Sequence, residues 1–201
     1  MAGAISAADV KKLREATGAA MLDCKKALEQ NDGDLAKAEN WLKEKGLSAV
    51  NKKADRVAKD GRIEVYIHVG NRVAVMAEIN CETDFVAKTE AFQEFAHNVA
   101  IHIAMANPKY IDATGIPAAD LEPVKEEFRK QALAEGKPAH VVDKIVEGKL
   151  SKYYQEACLL EQPFIKNEDV TIGQMLKEAI ASIGENIVIR RFIRYELGET
   201  N

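Results

Sequence analysis

From Arg62 to Val69 apolar and polar side chains alternate without a break. Ile63, Val65, Ile67 and Val69 lie on one side, Arg62, Glu64, Tyr66 and His68 on the other. A period of two marks a half-buried strand. Gly70-Asn71 is a favourable two-residue hairpin turn, and Arg72–Asn80 resumes the alternation with Val73, Val75, Ala77 and Ile79. The pattern predicts an antiparallel hairpin with one buried face. The period then changes: Phe92, Phe95, Val99 and Ile103 recur at helical spacing from about Thr89 to Met105, and Asn107-Pro108 ends the run. Charged helices are predicted through Pro123–Glu135, about Ala139–Glu147 and about Lys149–Cys158, with Pro123 and Pro138 at helix starts. Thr171-Ile172-Gly173-Gln174 fits a capping box, opening a helix to Ile183 that Gly184 closes. Ile187, Ile189, Ile193, Tyr195 and Leu197 alternate again, with Arg191 the exception, and predict a last strand beside the hairpin.

The first 47 residues read differently. Ser6 can cap a helix over Ala7–Ala16 that carries Val10 and Leu13 inward, and Thr17-Gly18 breaks it. A second helix, about Ala20–Gln30, turns Met21, Cys24, Ala27 and Leu28 toward a core. After Asn31-Asp32-Gly33-Asp34, Asp34 caps a third helix through Leu35, Ala38, Trp41 and Leu42, with Gly46 as its C′ residue. Three short helices of this kind resemble a ubiquitin-associated-type bundle. Met21 and Leu22 are adjacent, so they cannot both occupy the centre of one stripe. Either the pair straddles a wide core face, or part of it is exposed for a partner.

Residues 49–60 are poor in large apolar side chains and read as a linker. The predicted class is α+β: an N-terminal three-helix module over residues 1–48, the linker, and a core over residues 61–201. That core is a small antiparallel sheet packed with helices and carrying a helical insertion at about 118–160. Helices covering one face of the sheet would leave Tyr66, Ala74, Met76, Val188 and Phe192 on the other, a mixed patch for a symmetric partner.

Composition narrows the chemistry. The 201 residues carry 28 Lys and Arg against 32 Asp and Glu, a formal net charge of −4. That balance argues against a protein whose main task is to neutralise a phosphate backbone, even with local basic groups at Lys52, Lys53, Arg56 and Lys59 or at Arg190, Arg191 and Arg194. Hydrophobic residues at 47% exclude a disordered chain. No basic segment and apolar run form a signal peptide, and no window suits a membrane helix. Cys24, Cys81 and Cys158 lie far apart and read as reduced thiols of a cytoplasmic protein. His97 and His102 lack metal-ligand spacing, there is no glycine-rich nucleotide loop, and no carboxylate pair or nucleophile set suggests an enzyme. No cofactor is implied.

One segment carries more. In Glu78-Ile79-Asn80-Cys81-Glu82-Thr83-Asp84-Phe85-Val86-Ala87-Lys88, taken bare, Asp84 reads as an N-cap and Phe85 as a core residue. Yet this segment, with its centre Thr83-Asp84-Phe85-Val86, resembles the signature of the translation elongation factor Ts family. Leu13–Leu28 resembles that family's first signature, with Ala20 where glycine is usual and Leu22 where a second methionine is common. Val146-Glu147-Gly148-Lys149, Glu161-Gln162-Pro163-Phe164 and Ile183-Gly184-Glu185-Asn186-Ile187 also match.

The resemblance implies a guanine nucleotide exchange factor for the GTPase elongation factor Tu, binding its GDP-bound and nucleotide-free forms without covalent chemistry. It implies GTPase docking through Leu13, Arg14, Met21 and Leu22. It also implies that Thr83, Asp84, Phe85 and Val86 enter near the GTPase's magnesium site, with His102 a weaker candidate contact. A chain with one copy of the core resembles the short form of the family, which implies a homodimer. The alternative is an adaptor that binds another protein through Met21 and Leu22 and does not use Asp84.

Overall fold

A computed structural model describes residues 5–199, except for the side chains of residues 47–49 and 51. Among the described residues, eight α-helices, a three-stranded sheet and a two-stranded sheet make an α+β fold. The chain forms two compact units that are not consecutive in sequence. The first takes the described part of Met1–Arg62 together with Ile79–Phe95 and Leu176–Val188. The second takes Ile63–Glu78, Ala96–Met175 and the described part of Ile189–Asn201.

In the first unit, α1 (Ala7–Thr17), α2 (Met21–Gln30) and α3 (Leu35–Lys53) pack on one another. Ser6 and Asp34 cap α1 and α3 through their side chains, as the sequence indicates. Val10, Leu13, Cys24, Ala27, Leu28, Ala38 and Leu42 form the shared core. The third helix does not stop at Gly46. A β-carbon there would lie 3.4 Å from Ala181 Cβ, so this stretch of α3 packs beside α8 (Ile172–Ile183). Val50 is buried, and Lys53 Nζ donates to Ile180 O at 3.4 Å. The helix therefore crosses into residues 49–60, and Lys52 and Lys53 sit at its negative end.

The second unit is built on the sheet β1 (Asp60–Ile67), β2 (Val73–Cys81) and β5 (Val188–Glu196), in the order β1-β2-β5. Gly70 and Asn71 turn the hairpin with φ of 89° and 56°, and His68 N–H donates to Val73 O at 2.9 Å. Leu197 N–H donates to Arg72 O at one end of the β2–β5 pair, and Arg191 bonds Glu78 further along, so β5 runs antiparallel to β2. Helix α5 (Glu90–Ala106) lies across one face: His97 bonds Glu64 on β1, and Arg194 on β5 donates to Ala104 O.

That register corrects the expected burial of the hairpin. Odd positions of β1 stand opposite even positions of β2, so the two apolar rows face opposite ways. Val75, Ala77 and Ile79 are buried, whereas Ile63, Val65, Ile67 and Val69 are exposed. The open face thus carries Ile63, Val65, Ile67, Ala74, Met76, Ile193 and Tyr195, with Arg191 and Glu78 paired at 2.7 Å. Of the second-face residues expected from sequence, Ala74 and Met76 belong there, while Tyr66 is half-buried and T-stacked on His97 of α5.

A helical hairpin, α6 (Ala118–Ala134) and α7 (Ala139–Ala157), packs Ala132 against Val142, Val146 and Leu150. Helix α6 starts at Ala118, so Pro123 lies inside it rather than at its start. Two predicted helices are one in α7, which runs through Gly148. A mid-helix glycine costs about 1 kcal/mol against alanine. Each buried valine or leucine of the stripe contributes about 1.5–3 kcal/mol, so packing outweighs propensity. The two-stranded sheet, β3 (Pro163–Phe164) and β4 (Asn167–Thr171), leads into α8. Thr171 and Gln174 exchange the two bonds of a capping box, at 2.8 and 3.1 Å.

Candidate functional site

The segment that follows β2 turns sharply. Thr83, not Asp84, is the N-cap: its hydroxyl accepts from Val86 N–H at 3.4 Å and opens the four-residue turn α4 (Asp84–Ala87). Asp84 is the first residue of that turn and bonds Lys88 Nζ at 2.6 Å. The Lys88 ammonium holds the Asp84 carboxyl below the usual carboxylate range, so it is ionised at neutral pH. Phe85 is not a core residue. It is 79% exposed, and Val86 beside it is half-buried.

The turn is braced from outside itself. Glu185, directly after the glycine that closes α8, accepts from Glu82 N–H and Thr83 N–H, each at 3.0 Å, and from the Thr83 hydroxyl at 2.7 Å. In return Glu82 Oε1 accepts from Asn186 N–H at 2.7 Å. The buried Asn186 side chain donates to Arg56 O at 2.8 Å and to Ala54 O at 3.3 Å. Cys81 is buried at the strand end, and its thiol donates to Thr83 O at 3.1 Å. Burial, with the Glu185 charge nearby, pushes the Cys81 pKa up to about 11, so the sulfur stays protonated.

The N-terminal candidates divide. Leu13 is 2% exposed in the bundle core, so it supports the surface and does not form it. Arg14 is exposed on α1. Met21 and Leu22, at 55% and 73% exposure, both face outward at the start of α2, which resolves the adjacency problem in favour of an exposed pair. This bundle and the braced turn belong to the same compact unit. His102 lies in the other unit and is fully buried. Its Nε2–H donates to Gln162 Oε1 at 2.9 Å, and its Nδ1 accepts from Ile165 N–H at 3.4 Å. Burial lowers its pKa, so the ring is neutral and structural, with no surface to offer a partner.

Glu185 and Asn186 were the residues that periodicity could not reveal. The signals available are the resemblance of Ile183–Ile187 to the family and a carboxylate and an amide placed directly after a helix-closing glycine. Among the described residues, no group of three His, Cys, Asp or Glu is arranged to hold a metal ion, and no helix is long and apolar enough to cross a membrane.

The family model described as Elongation factor TS matches residues 6–199. Elongation factor Ts of Heliobacterium modesticaldum is 56% identical over 195 residues, covering 97% of this chain and 91% of the relative. That of Carboxydothermus hydrogenoformans is 57% identical over 190 residues, covering 94% and 88%, and that of Syntrophus aciditrophicus 54% over 195 residues, covering 97% of each. With the first signature and the centre of the second, Thr83–Val86, on one compact unit and the match running nearly end to end, the chain belongs to the elongation factor Ts family.

Proposed function

We propose that the protein is a guanine nucleotide exchange factor for elongation factor Tu, acting in the cytoplasm. The observation that carries the reading is Phe85: a large aromatic side chain standing in solvent on a turn whose backbone is tied down. An exposed phenylalanine contributes little to its own fold, whereas it suits insertion into another protein. Residues 1–48, read as a ubiquitin-associated-like module, dock on the GTPase through Arg14, Met21 and Leu22. The Thr83–Val86 turn then enters beside the GTPase's magnesium ion. Magnesium requires near-ideal octahedral oxygen geometry, so a small shift of its ligands or waters is costly. Phe85 wedges the surrounding elements apart, and ionised Asp84 competes for groups that support the ion.

No bond is made or broken. A factor that favours the nucleotide-free GTPase weakens GDP binding by the same ratio. Each tenfold weakening of GDP binding requires about 1.4 kcal/mol of differential affinity. The test is stopped-flow release of labelled GDP from elongation factor Tu with and without the protein. A release rate that stays at its spontaneous value at saturating protein overturns the reading in favour of a non-exchanging adaptor.

A second copy of the chain is the proposed occupant of the open sheet face. Ile63, Val65, Ile67, Met76 and Ile193 make it aliphatic, and the Glu78–Arg191 pair within it leaves no unmatched charge to bury. The single copy of the core supports the same conclusion by resemblance to the short form of the family.

A further inference from the structure

We propose that Glu185 is the positioning residue of the exchange turn, and that Asn186 ties this positioning to the end of α3. The proposal rests on the exchange reading of Phe85. Helix α4 is four residues long and has no buried residue. A single helical turn is marginal in water, so α4 cannot by itself hold Phe85 in one direction. Glu82 and Thr83 enter the turn with N–H groups that the short helix cannot satisfy. One carboxylate takes both, and the Thr83 hydroxyl as well. Charge-assisted bonds of this kind are about twice as strong as neutral ones. Three donors converging on one carboxylate also fix direction.

The strap is closed from the other side. Glu82 returns a bond to Asn186 N–H, and Asn186 Nδ2 holds Arg56 O and Ala54 O, in the segment directly after α3. Arg56 Nη1 also approaches Glu82 Oε1 at 3.5 Å. One dipeptide therefore joins the turn bearing the wedge to the last helix of the docking bundle. When the bundle seats on a GTPase, the strap sets where Phe85 arrives.

Nucleotide-release kinetics test this, with the full chain and elongation factor Tu loaded with labelled GDP. Glu185→Ala lowers the saturating release rate about tenfold and leaves the half-saturating concentration within about twofold, because Met21 and Leu22 still dock. Glu185→Gln recovers much of the rate, since its amide oxygen still accepts both N–H bonds. Hydrogen exchange at the Glu82 and Thr83 amides of the free protein accelerates in Glu185→Ala. On a Phe85→Ala background, Glu185→Ala costs little more, as residues acting through one another must.

An unchanged saturating rate, a shift in half-saturation alone, or an undiminished loss on the Phe85→Ala background each overturns the proposal. Should Glu185→Ala not fold, Thr83→Val removes one of the three bonds, and a full release rate in that variant counts against the strap. If Phe85→Ala itself releases GDP at the full rate, the exchange reading fails and the positioning proposal with it. If only Glu185→Ala does so, the reading stands and the proposal alone is lost.

Discussion

The two compact units expose hydrophobic groups in opposite ways. In the first, Phe85 is a single tip on backbone fixed by hydrogen bonds and Leu22 projects beside Met21 from a helix start, Phe85 and Leu22 each more than 70% exposed. In the second, Ile63, Val65, Ile67, Met76 and Ile193 lie side by side on a sheet, each about half exposed because its neighbours shield it. A tip can enter a pocket and leave again at small cost to either partner. A continuous face stays out of water only against a matching face, which suits a lasting pair of chains. The difference suits the proposed pairing of a transient partner with one unit and a lasting one with the other.

Substitutions can break this comparison, and the largest effect falls on stability. Phe92, fully buried on α5, should cost about 3–5 kcal/mol as Phe92→Ala, whereas Phe85→Ala should stay within about 0.5 kcal/mol. Urea unfolding of the two variants measures both. Equal losses would mean that Phe85 packs in solution and is no tip.

Next in size is docking. Leu22→Asp should weaken association with elongation factor Tu by about tenfold or more and leave the melting temperature unchanged. Binding calorimetry decides it, and wild-type affinity would remove Met21 and Leu22 from the interface. On the second unit, Met76→Glu should break the pair of chains. Sedimentation equilibrium should then fall from twice 22.1 kDa to 22.1 kDa, with exchange per chain left to the first unit. A wild-type mass already near 22.1 kDa at micromolar concentration would contradict the paired face.

The smallest effect is on pH. His102 has its pKa depressed from 6.5 by burial, so the unfolded chain takes up a proton before the folded one does. Stability is therefore full above pH 6.5 and declines as pH falls below it toward the depressed folded value. Thermal melts of wild type and His102→Gln across that range should converge as the pH drops. Parallel curves would mean that the ring does not stay neutral.

Much of this was legible in the residues, and the failures have physical causes. Alternation located all three strands of the main sheet, and the capping box at Thr171 is formed as the spacing indicates. Which face of β1 is buried was also available. A turn centred on Gly70-Asn71 sets odd positions against even ones, so two odd apolar rows cannot share a face. The alternation within either strand alone does not carry that constraint. Gly46 has the residue type of a helix end, yet α3 continues to Lys53 because Val50 and Lys53 beyond it find packing and a hydrogen bond, which the glycine alone does not reveal. Leu13 sits within a signature yet is core, since a motif does not separate the side chains that form a surface from those beneath it. Phe85 was the reverse: its residue type says core, and its place on a short braced turn says otherwise.

The most direct test of the account is the release of labelled GDP from magnesium-loaded elongation factor Tu at saturating concentrations of the wild-type protein and of Phe85→Ala. The account predicts rapid release with the wild type. With Phe85→Ala it predicts release slower by about tenfold or more, at an unchanged half-saturating concentration. Equal saturating rates for the two proteins would contradict it.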